Sequence, residues 1–166
     1  MKCLECLPNG IRLSQSGTSI NGSIFFKEFM VRCKSILVAD DNDDIREAIV
    51  EALENEGYQV TAARNGSEAL DLLQDMPVPT LILLDLMMPV MSGWEFLDAQ
   101  KQDVRFASHQ VVTISAVNPN QSIEDPTPLE TAGSIQKPFS LGKLWEKVAE
   151  FCGPPPSAAD QSDLTA

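Results

Sequence analysis

Short apolar runs alternate with helical patterns along this chain, and that alternation constrains the fold more than any other feature of the sequence. Apolar residues recur at helical spacing after four of the five runs. Strands that alternate with helices predict a parallel sheet covered on both faces, and right-handed crossovers make it doubly wound. The segments that we interpret as strands span residues 36–40, 58–63, 80–85, 110–115 and 134–136; the second alternates only weakly, as an outer strand does, and the last is a short strand-like piece.

The central run, from Thr80 to Leu84, is rich in leucine and isoleucine and leads directly into Asp85. Such a run is typical of a strand buried on both faces. A carboxylate at its end lies at the rim of the sheet, where parallel α/β proteins have their binding and active sites. Alone, Asp85 also fits a solvated carboxylate without a function, so the other strand ends decide how it is interpreted.

An acidic pair, Asp40-Asp41, closes the first apolar run, residues 36–39. If the first and central strands are parallel neighbours, three carboxylates meet at one end of the sheet. Carboxylates at such short distances repel one another and raise one another's pKa values. A hard divalent cation relieves the repulsion, and ligation by oxygen alone favours Mg²⁺.

The acidic stretch also fits the start of a helix. Asn42, Asp43 and Asp44 precede a helical pattern and suit a capping role. Both interpretations can hold, since Asn42 or Asp43 can cap the helix while Asp40 and Asp41 face a cation.

Two further strand ends carry polar side chains that suit an anion. Lys137-Pro138 follows the fifth run, and a lysine there is a compact charge for a carboxylate or a phosphate. Pro138 is a candidate for a cis peptide bond. Ser115 ends the fourth run and can donate a hydrogen bond, and Ala116 leaves room beside it. The alternative for Lys137 is a surface lysine in a turn.

These strand-end motifs, taken in order and spacing, form a recognisable set. They are Asp40-Asp41, Asp85-Leu86-Met87-Met88-Pro89-Val90-Met91-Ser92-Gly93, Ser115-Ala116 and Lys137-Pro138-Phe139. The set resembles the receiver domain of bacterial response regulators, which are phosphorylated on aspartate in two-component signalling. The resemblance implies a flavodoxin-like α/β fold with a five-stranded parallel sheet in the order 2-1-3-4-5.

The resemblance further implies that Asp85 is the phosphoacceptor and that Mg²⁺ is the cofactor. By the same resemblance, the ion is held by Asp41, Asp85 and the backbone carbonyl of Met87, whereas Asp40 acts largely through water.

The resemblance assigns phosphoryl oxygens to Lys137 and Ser115. The expected donor is a histidine kinase or a phosphotransfer protein. The phosphorylated chain is expected to dock on an unknown downstream protein or to relay the phosphate. No enzymatic activity is expected beyond slow self-phosphorylation and self-dephosphorylation.

The same resemblance bears on how long the phosphate lasts. In receivers, the side chains two positions after the acceptor and two after the serine flank the path of the hydrolytic water. They are Met87 and Val117 here, and neither can orient a water, which predicts slow self-dephosphorylation.

Two departures from the receiver pattern concern signal output. The position three residues before Lys137, usually aromatic, is Ser134, which cannot supply the same packing change. Three prolines also interrupt the helix expected over residues 117–132. The switch is therefore expected to differ from the usual one.

Two other classes of protein share part of this pattern. A haloacid-dehalogenase-type phosphatase also phosphorylates an aspartate at a strand end, but it needs a second acid at the position of Met87. A receiver-fold binding module that acts without phosphorylation is compatible with Ser134, although the intact acids and lysine argue against it.

Composition narrows the partners and the location. The net charge is −12 with no basic cluster, which disfavours nucleic-acid binding. No apolar stretch reaches the roughly 20 residues of a membrane span, and the N-terminus lacks the apolar core of a secretory signal. We therefore expect a cytoplasmic protein that binds neither nucleic acid nor membrane.

The four cysteines, Cys3, Cys6, Cys33 and Cys152, are scattered as expected in a reducing cytoplasm. Cys3 and Cys6 lack the second pair that a zinc site requires. Cys152 lies on an apolar helical stripe and is expected to be a small core residue. His109, the one histidine, is expected at the surface.

The sequence divides into three parts. Residues 1–34 are expected to be a poorly ordered extension, with Met30 as the natural start of the protein after a translated leader of residues 1–29. Residues 35–152 are expected to form the receiver domain. Residues 153–166 are expected to be a flexible tail with no output domain after it.

Overall fold

The structure is a computed structural model, and it describes residue 33, residues 35–116 and residues 131–155. The expectations for the N-terminal extension, for a start at Met30, for the proline-interrupted segment with Val117 and for the C-terminal tail fall wholly or largely outside these residues.

Five strands form one sheet, and each lies within two residues of the bounds expected from its apolar run. They are β1 (Ser35–Ala39), β2 (Val60–Ala63), β3 (Thr80–Leu84), β4 (Gln110–Ser115) and β5 (Gly133–Gln136). The helices of the described residues are α1 (Asp43–Asn55), α2 (Gly66–Leu73), α3 (Gly93–Gln102) and α4 (Leu141–Cys152).

All neighbouring strands are parallel, and their order is β2-β1-β3-β4-β5. The doubly wound α/β fold and the strand order are thus confirmed. Ala39 lies opposite Leu84, and Leu84 lies opposite Thr113. The carboxyl ends of β1, β3 and β4 therefore reach the same edge of the sheet.

Alternate residues of the central strand pack into two separate cores. Ile82 and Leu84 face α2 and α3, whereas Leu81 and Leu83 face α1 and α4. All four side chains are at most 1% exposed, and each such burial is worth about 1.5–3 kcal/mol. β3 is therefore fixed between two apolar layers, and the residue after it, Asp85, is fixed with it.

Side-chain caps determine where the helices next to this edge begin. Asn42 Oδ1 accepts the Ile45 N–H at 3.0 Å, so α1 starts directly after the acidic pair. Ser92 and Glu95 form a reciprocal capping box that starts α3. Of the two candidates named for the first cap, Asn42 is the one that acts.

His109 is buried and only 4% exposed, so its expected surface position was wrong. Its Nδ1 accepts the Thr80 N–H at 3.1 Å, and Gln100 Nε2 donates to the His109 carbonyl at 3.1 Å. Burial lowers the pKa of His109 below 6.5. The error arose because the imidazole is enclosed by an element 29 positions away, which no local pattern reveals.

Cys33 and Cys152 form a disulfide with Cα atoms 4.5 Å apart, so this pair does not fit the reducing environment that the scatter of the cysteines suggested. Cys152 does belong to the apolar core, as predicted. The partners are 119 positions apart and meet only because the fold brings Cys33, two positions before β1, to the end of α4. The Cys33 N–H donates to the Phe151 carbonyl at 3.3 Å beside the bond.

Within the described ranges, every helix is too short or too polar to span a bilayer.

Candidate functional site

Three carboxylates gather at the carboxyl edge of the sheet. Asp40 and Asp41 follow β1, and Asp85 follows β3. One oxygen of each lies within 4.8 Å of an oxygen of the other two. The Asp85 N–H donates to the Ala39 carbonyl at 2.8 Å and ties the two strand ends together. The predicted meeting of three acids is present.

The carboxylates differ in exposure. Asp40 is 2% exposed and Asp85 is 7% exposed, whereas Asp41 is open to solvent. The cluster therefore has a closed floor and one open side, through which water or a small anion can approach.

Lys137 joins the two buried carboxylates. Its Nζ lies 2.6 Å from Asp40 Oδ2 and 2.6 Å from Asp85 Oδ2. The Lys137 N–H donates to the Ser115 carbonyl at 2.9 Å, which anchors the lysine to the end of β4. The Lys137–Pro138 peptide is cis, as the sequence suggested.

The remaining oxygens of the buried carboxylates accept backbone N–H groups. Asp40 Oδ1 accepts the Asn42 N–H at 3.0 Å, and Asp85 Oδ1 accepts the Met87 N–H at 3.2 Å. Both oxygens of each buried acid are therefore hydrogen-bonded within the chain.

Burial and charge act in opposite directions on these groups. Burial raises the pKa of Asp40, although the Lys137 ammonium and the Asn42 N–H oppose it. Burial also opposes the charge on Lys137, but hydrogen bonds to Asp40 and Asp85 outweigh it and raise the pKa of the lysine. Three carboxylates against one ammonium leave excess negative charge, which suits a divalent cation.

The loop after Asp85 is shaped by a close approach of backbone. A Cβ on Gly93 would lie 2.4 Å from the Asp85 carbonyl oxygen, so only glycine fits there. The Gly93 N–H donates to the Leu86 carbonyl at 3.0 Å and closes the loop. Met87 is 62% exposed within this loop, and Val90 has a φ of 70°, which is strained for a β-branched residue.

Ser115 lies at the same edge and is 3% exposed. Because Leu84 lies opposite Thr113, Ser115 is one position further along its strand than Asp85 is along its own. The exposed Ala116 follows it. The structure thus brings Asp40, Asp41, Asp85, Ser115 and Lys137 to one edge, as the sequence predicted.

Comparison with known proteins decides which family has this arrangement. The sequence model of the response regulator receiver domain matches residues 36–149.

The chain belongs to the response regulator receiver family.

Relatives of this receiver differ in length. It is 40% identical over 116 residues to response regulator RR06 of Streptococcus pneumoniae, covering 69% of this chain and 51% of that protein. It is 35% identical over 119 residues to the receiver protein CpdR of Brucella abortus, covering 71% and 96%. The receiver thus spans about half of the first relative and nearly all of the second.

Solved receivers share the fold. TrrA from Thermotoga maritima, in complex with Mg²⁺ and BeF, is 30% identical with a TM-score of 0.61, covering 71% of this chain and 98% of that chain. Chemotaxis protein CheY4 of Vibrio cholerae is 25% identical with a TM-score of 0.63, covering 72% and 98%.

Sequence reasoning missed one residue of this receiver's site. Arg46 on α1 is 8% exposed and donates from Nη1 to the Asp40 carbonyl at 2.8 Å. It shares a helical stripe with Ile49 and Leu53, which are both buried. A charged residue on an apolar stripe was the signal that could have revealed it.

An apolar groove of about 540 Å³ opens beside Lys137 of the receiver. It lies between α1 and the segment that follows β5. Its lining includes Ile45, Ala48, Ile49, Pro138, Phe139 and Leu141. Apolar surface is thus available to a partner next to the charged cluster.

Proposed function

We propose that Asp85 accepts a phosphoryl group from a phosphohistidine of a histidine kinase or phosphotransfer protein. The observation that carries the proposal is the ion-paired cluster, in which Lys137 bridges Asp40 and Asp85 at the end of the central strand. The phosphorylated receiver would then dock on a downstream protein or pass the phosphate on. The family membership supports such a role.

The chemical step is a phosphoryl exchange. An Asp85 carboxylate oxygen attacks phosphorus, the P–O bond forms, and the P–N bond to the donor imidazole breaks. The acid is held by β3 and by the Met87 N–H, so little of its motion remains to be lost in the transition state. Catalysis here requires positioning and charge stabilisation rather than a general base.

The residues fit Mg²⁺, because the cluster offers only oxygen ligands and has one open side. Asp41, Asp85 and the Met87 carbonyl would hold the ion. Asp40 would act through water, because it is the least exposed carboxylate of the cluster, at 2%. Bound Mg²⁺ would offset negative charge on the phosphoryl oxygens.

Lys137 would exchange one partner during the reaction. Its ammonium now pairs with Asp85 Oδ2 at 2.6 Å. Once the phosphoryl group is attached, its oxygens carry the negative charge, and the ammonium follows that charge. Ser115, one position further along the edge, would donate to another phosphoryl oxygen.

The apolar groove beside Lys137 supports docking of the phosphodonor there. A partner helix packed in the groove would bring its phosphohistidine next to Asp85. We place the receiver in the cytoplasm, where soluble kinase domains work, and there the Cys33–Cys152 bond would form only under oxidising conditions. We expect neither nucleic acid nor membrane as a partner.

The test is intact mass after incubation with Mg²⁺ and acetyl phosphate. Wild type should gain one phosphate, and Asp85→Asn should gain none. Asp75→Asn is a matched control, because Asp75 is exposed and precedes β3, at the opposite edge of the sheet. Equal labelling of wild type and Asp85→Asn would exclude Asp85. A chain that is never labelled, even by a histidine kinase, would favour the binding-module alternative.

A further inference from the structure

Arg46 is a buried cation one helical turn from the acidic pair. Its side chain is about 10% exposed. A guanidinium loses hydration when it is buried, so it needs strong partners there. Its position is therefore informative about what it holds.

The two hydrogen-bond partners of Arg46 do not explain the burial of its guanidinium equally well. Nη2 pairs with the Asp43 carboxylate, which is 73% exposed. A pair with so exposed an acid contributes little and does not explain burial of the guanidinium. Nη1 donates to the carbonyl of Asp40, a residue that is 2% exposed. The second contact accounts for the burial.

The Asp40 carbonyl belongs to the peptide group that links Asp40 to Asp41. A hydrogen bond to that carbonyl fixes the plane of the peptide and hence the directions in which both side chains leave the backbone. Arg46 is itself fixed, because its N–H donates to the Asn42 carbonyl at 2.9 Å within α1. Through Arg46, α1 therefore restrains the backbone of the Asp40–Asp41 pair.

The cluster needs such a restraint. Carboxylate oxygens within 4.8 Å of one another repel, and a loose loop would relax by spreading them apart. The planar fork of Arg46 contacts Asp40 and Asp43 together, on either side of Asp41. The ion pair with Nη2 also keeps the Asp43 carboxylate next to the guanidinium.

We propose that Arg46 is a positioning residue for the metal site, which keeps the Asp40–Asp41 peptide in the orientation that Mg²⁺ binding requires. The inference rests on the proposed function, since it concerns the affinity of that site. Arg46 touches neither the ion nor the phosphoryl group in this role.

A charge effect of Arg46 would have the opposite sign. A nearby positive charge opposes cation binding, so its removal alone would tighten the binding of Mg²⁺. Loss of positioning would weaken it. The direction of the change therefore separates the two roles.

The experiment is calorimetric titration of the full chain with Mg²⁺, alongside thermal unfolding. Arg46→Lys keeps the charge but loses the fork, and we expect its Mg²⁺ affinity to fall about tenfold. Asp43→Asn is the matched control, because it removes the exposed partner and leaves the bond to Asp40. Its affinity should stay within about twofold of wild type.

If Arg46→Lys does not fold, Arg46→Gln distinguishes the positioning role from a charge role. It loses the charge and the fork, and the proposal predicts affinity no tighter than wild type, whereas a charge role predicts tighter binding. A structural role alone would lower the melting temperature of Arg46→Lys and leave the affinity of the folded protein unchanged, which would overturn the proposal. Wild type that binds no Mg²⁺ would instead overturn the proposed metal site itself.

Discussion

Lys137 Nζ lies 2.6 Å from Asp85 Oδ2, although 52 positions separate the two residues in the chain. The same ammonium lies 2.6 Å from Asp40 Oδ2. The two most buried carboxylates of the cluster thus share one cation. In the unphosphorylated receiver, this lysine is the internal counter-charge of the acids.

Lys137→Met should destabilise the receiver without Mg²⁺ by about 3 kcal/mol at neutral pH, because two buried carboxylates lose their counter-charge. Saturating Mg²⁺ should remove much of that loss. Urea unfolding with and without the ion measures both effects. Lys147→Met is the control, since Lys147 pairs with the exposed Glu150, and it should change stability by less than about 1 kcal/mol. A loss that Mg²⁺ does not reduce would contradict the prediction.

Asp41→Ala should abolish Mg²⁺ binding near neutral pH, because the open side of the cluster loses its carboxylate. Asp40→Ala should have a smaller effect, because both Asp40 oxygens are bound within the chain. Tryptophan fluorescence during titration can measure both, and Asp44→Ala, exposed on the same loop–helix junction, is the control. An unchanged titration for Asp41→Ala would remove Asp41 from the site.

The fold was predictable because its signals are local. β1 and β3 are buried along their whole length, so β3 could be located from the apolar run Thr80 to Leu84 alone. The strand order could not be obtained from such runs, since pairing depends on distant segments, and it came from the resemblance.

The candidate site was predictable in its members and less so in its contacts. Strand ends placed Asp40, Asp85 and Lys137 at one edge, but not the bridge that Lys137 forms between the acids. Arg46 was missed, because burial of a cation depends on a carbonyl that the sequence does not mark. The errors at His109 and at the cysteine pair have the same non-local cause.

Wild type should lose stability under mildly acidic conditions, and His109→Asn should not show that loss. Burial lowers the pKa of His109 below 6.5, so the unfolded chain binds more protons as the pH falls below that value. The contribution of His109 is complete above about pH 6.5 and is lost as the pH falls toward the lowered pKa. Asparagine keeps an acceptor for the Thr80 N–H.

The measurement is urea unfolding of both proteins over that pH range. Asp40, whose pKa is raised from 3.8, changes stability with pH in the opposite sense. Because Asp40 is present in both proteins, the difference between their pH slopes reports His109 alone. Equal pH slopes for wild type and His109→Asn would show that His109 does not titrate in this range.

Met87→Asn combined with Val117→Glu should speed loss of the phosphate by about tenfold, a barrier change of about 1.4 kcal/mol. The new side chains can orient a water behind the phosphorus, which the apolar ones cannot. Met87 is exposed beside Asp85, as this role requires, while Val117 lies outside the described residues. Intact mass against time measures the rate, and a double mutant no faster than wild type would refute the idea.

Val90→Asn should raise the free energy of unfolding by about 0.5–1 kcal/mol. Val90 has a φ of 70°, where a β-branched side chain is strained and asparagine is tolerated. Val104→Asn is the control, because Val104 is equally exposed at 85% and has no positive φ. The control should change stability by less than about 0.5 kcal/mol. Matching shifts in the two variants would mean that backbone strain is not the cause.

The disulfide between Cys33 and Cys152 makes the backbone of the receiver a closed covalent ring. Every strand and helix described above lies between the two cysteines. A single backbone cut anywhere in that span opens the ring without separating two pieces. A nicked molecule would therefore migrate as one band in a non-reducing gel and divide into two only after a thiol reductant is added.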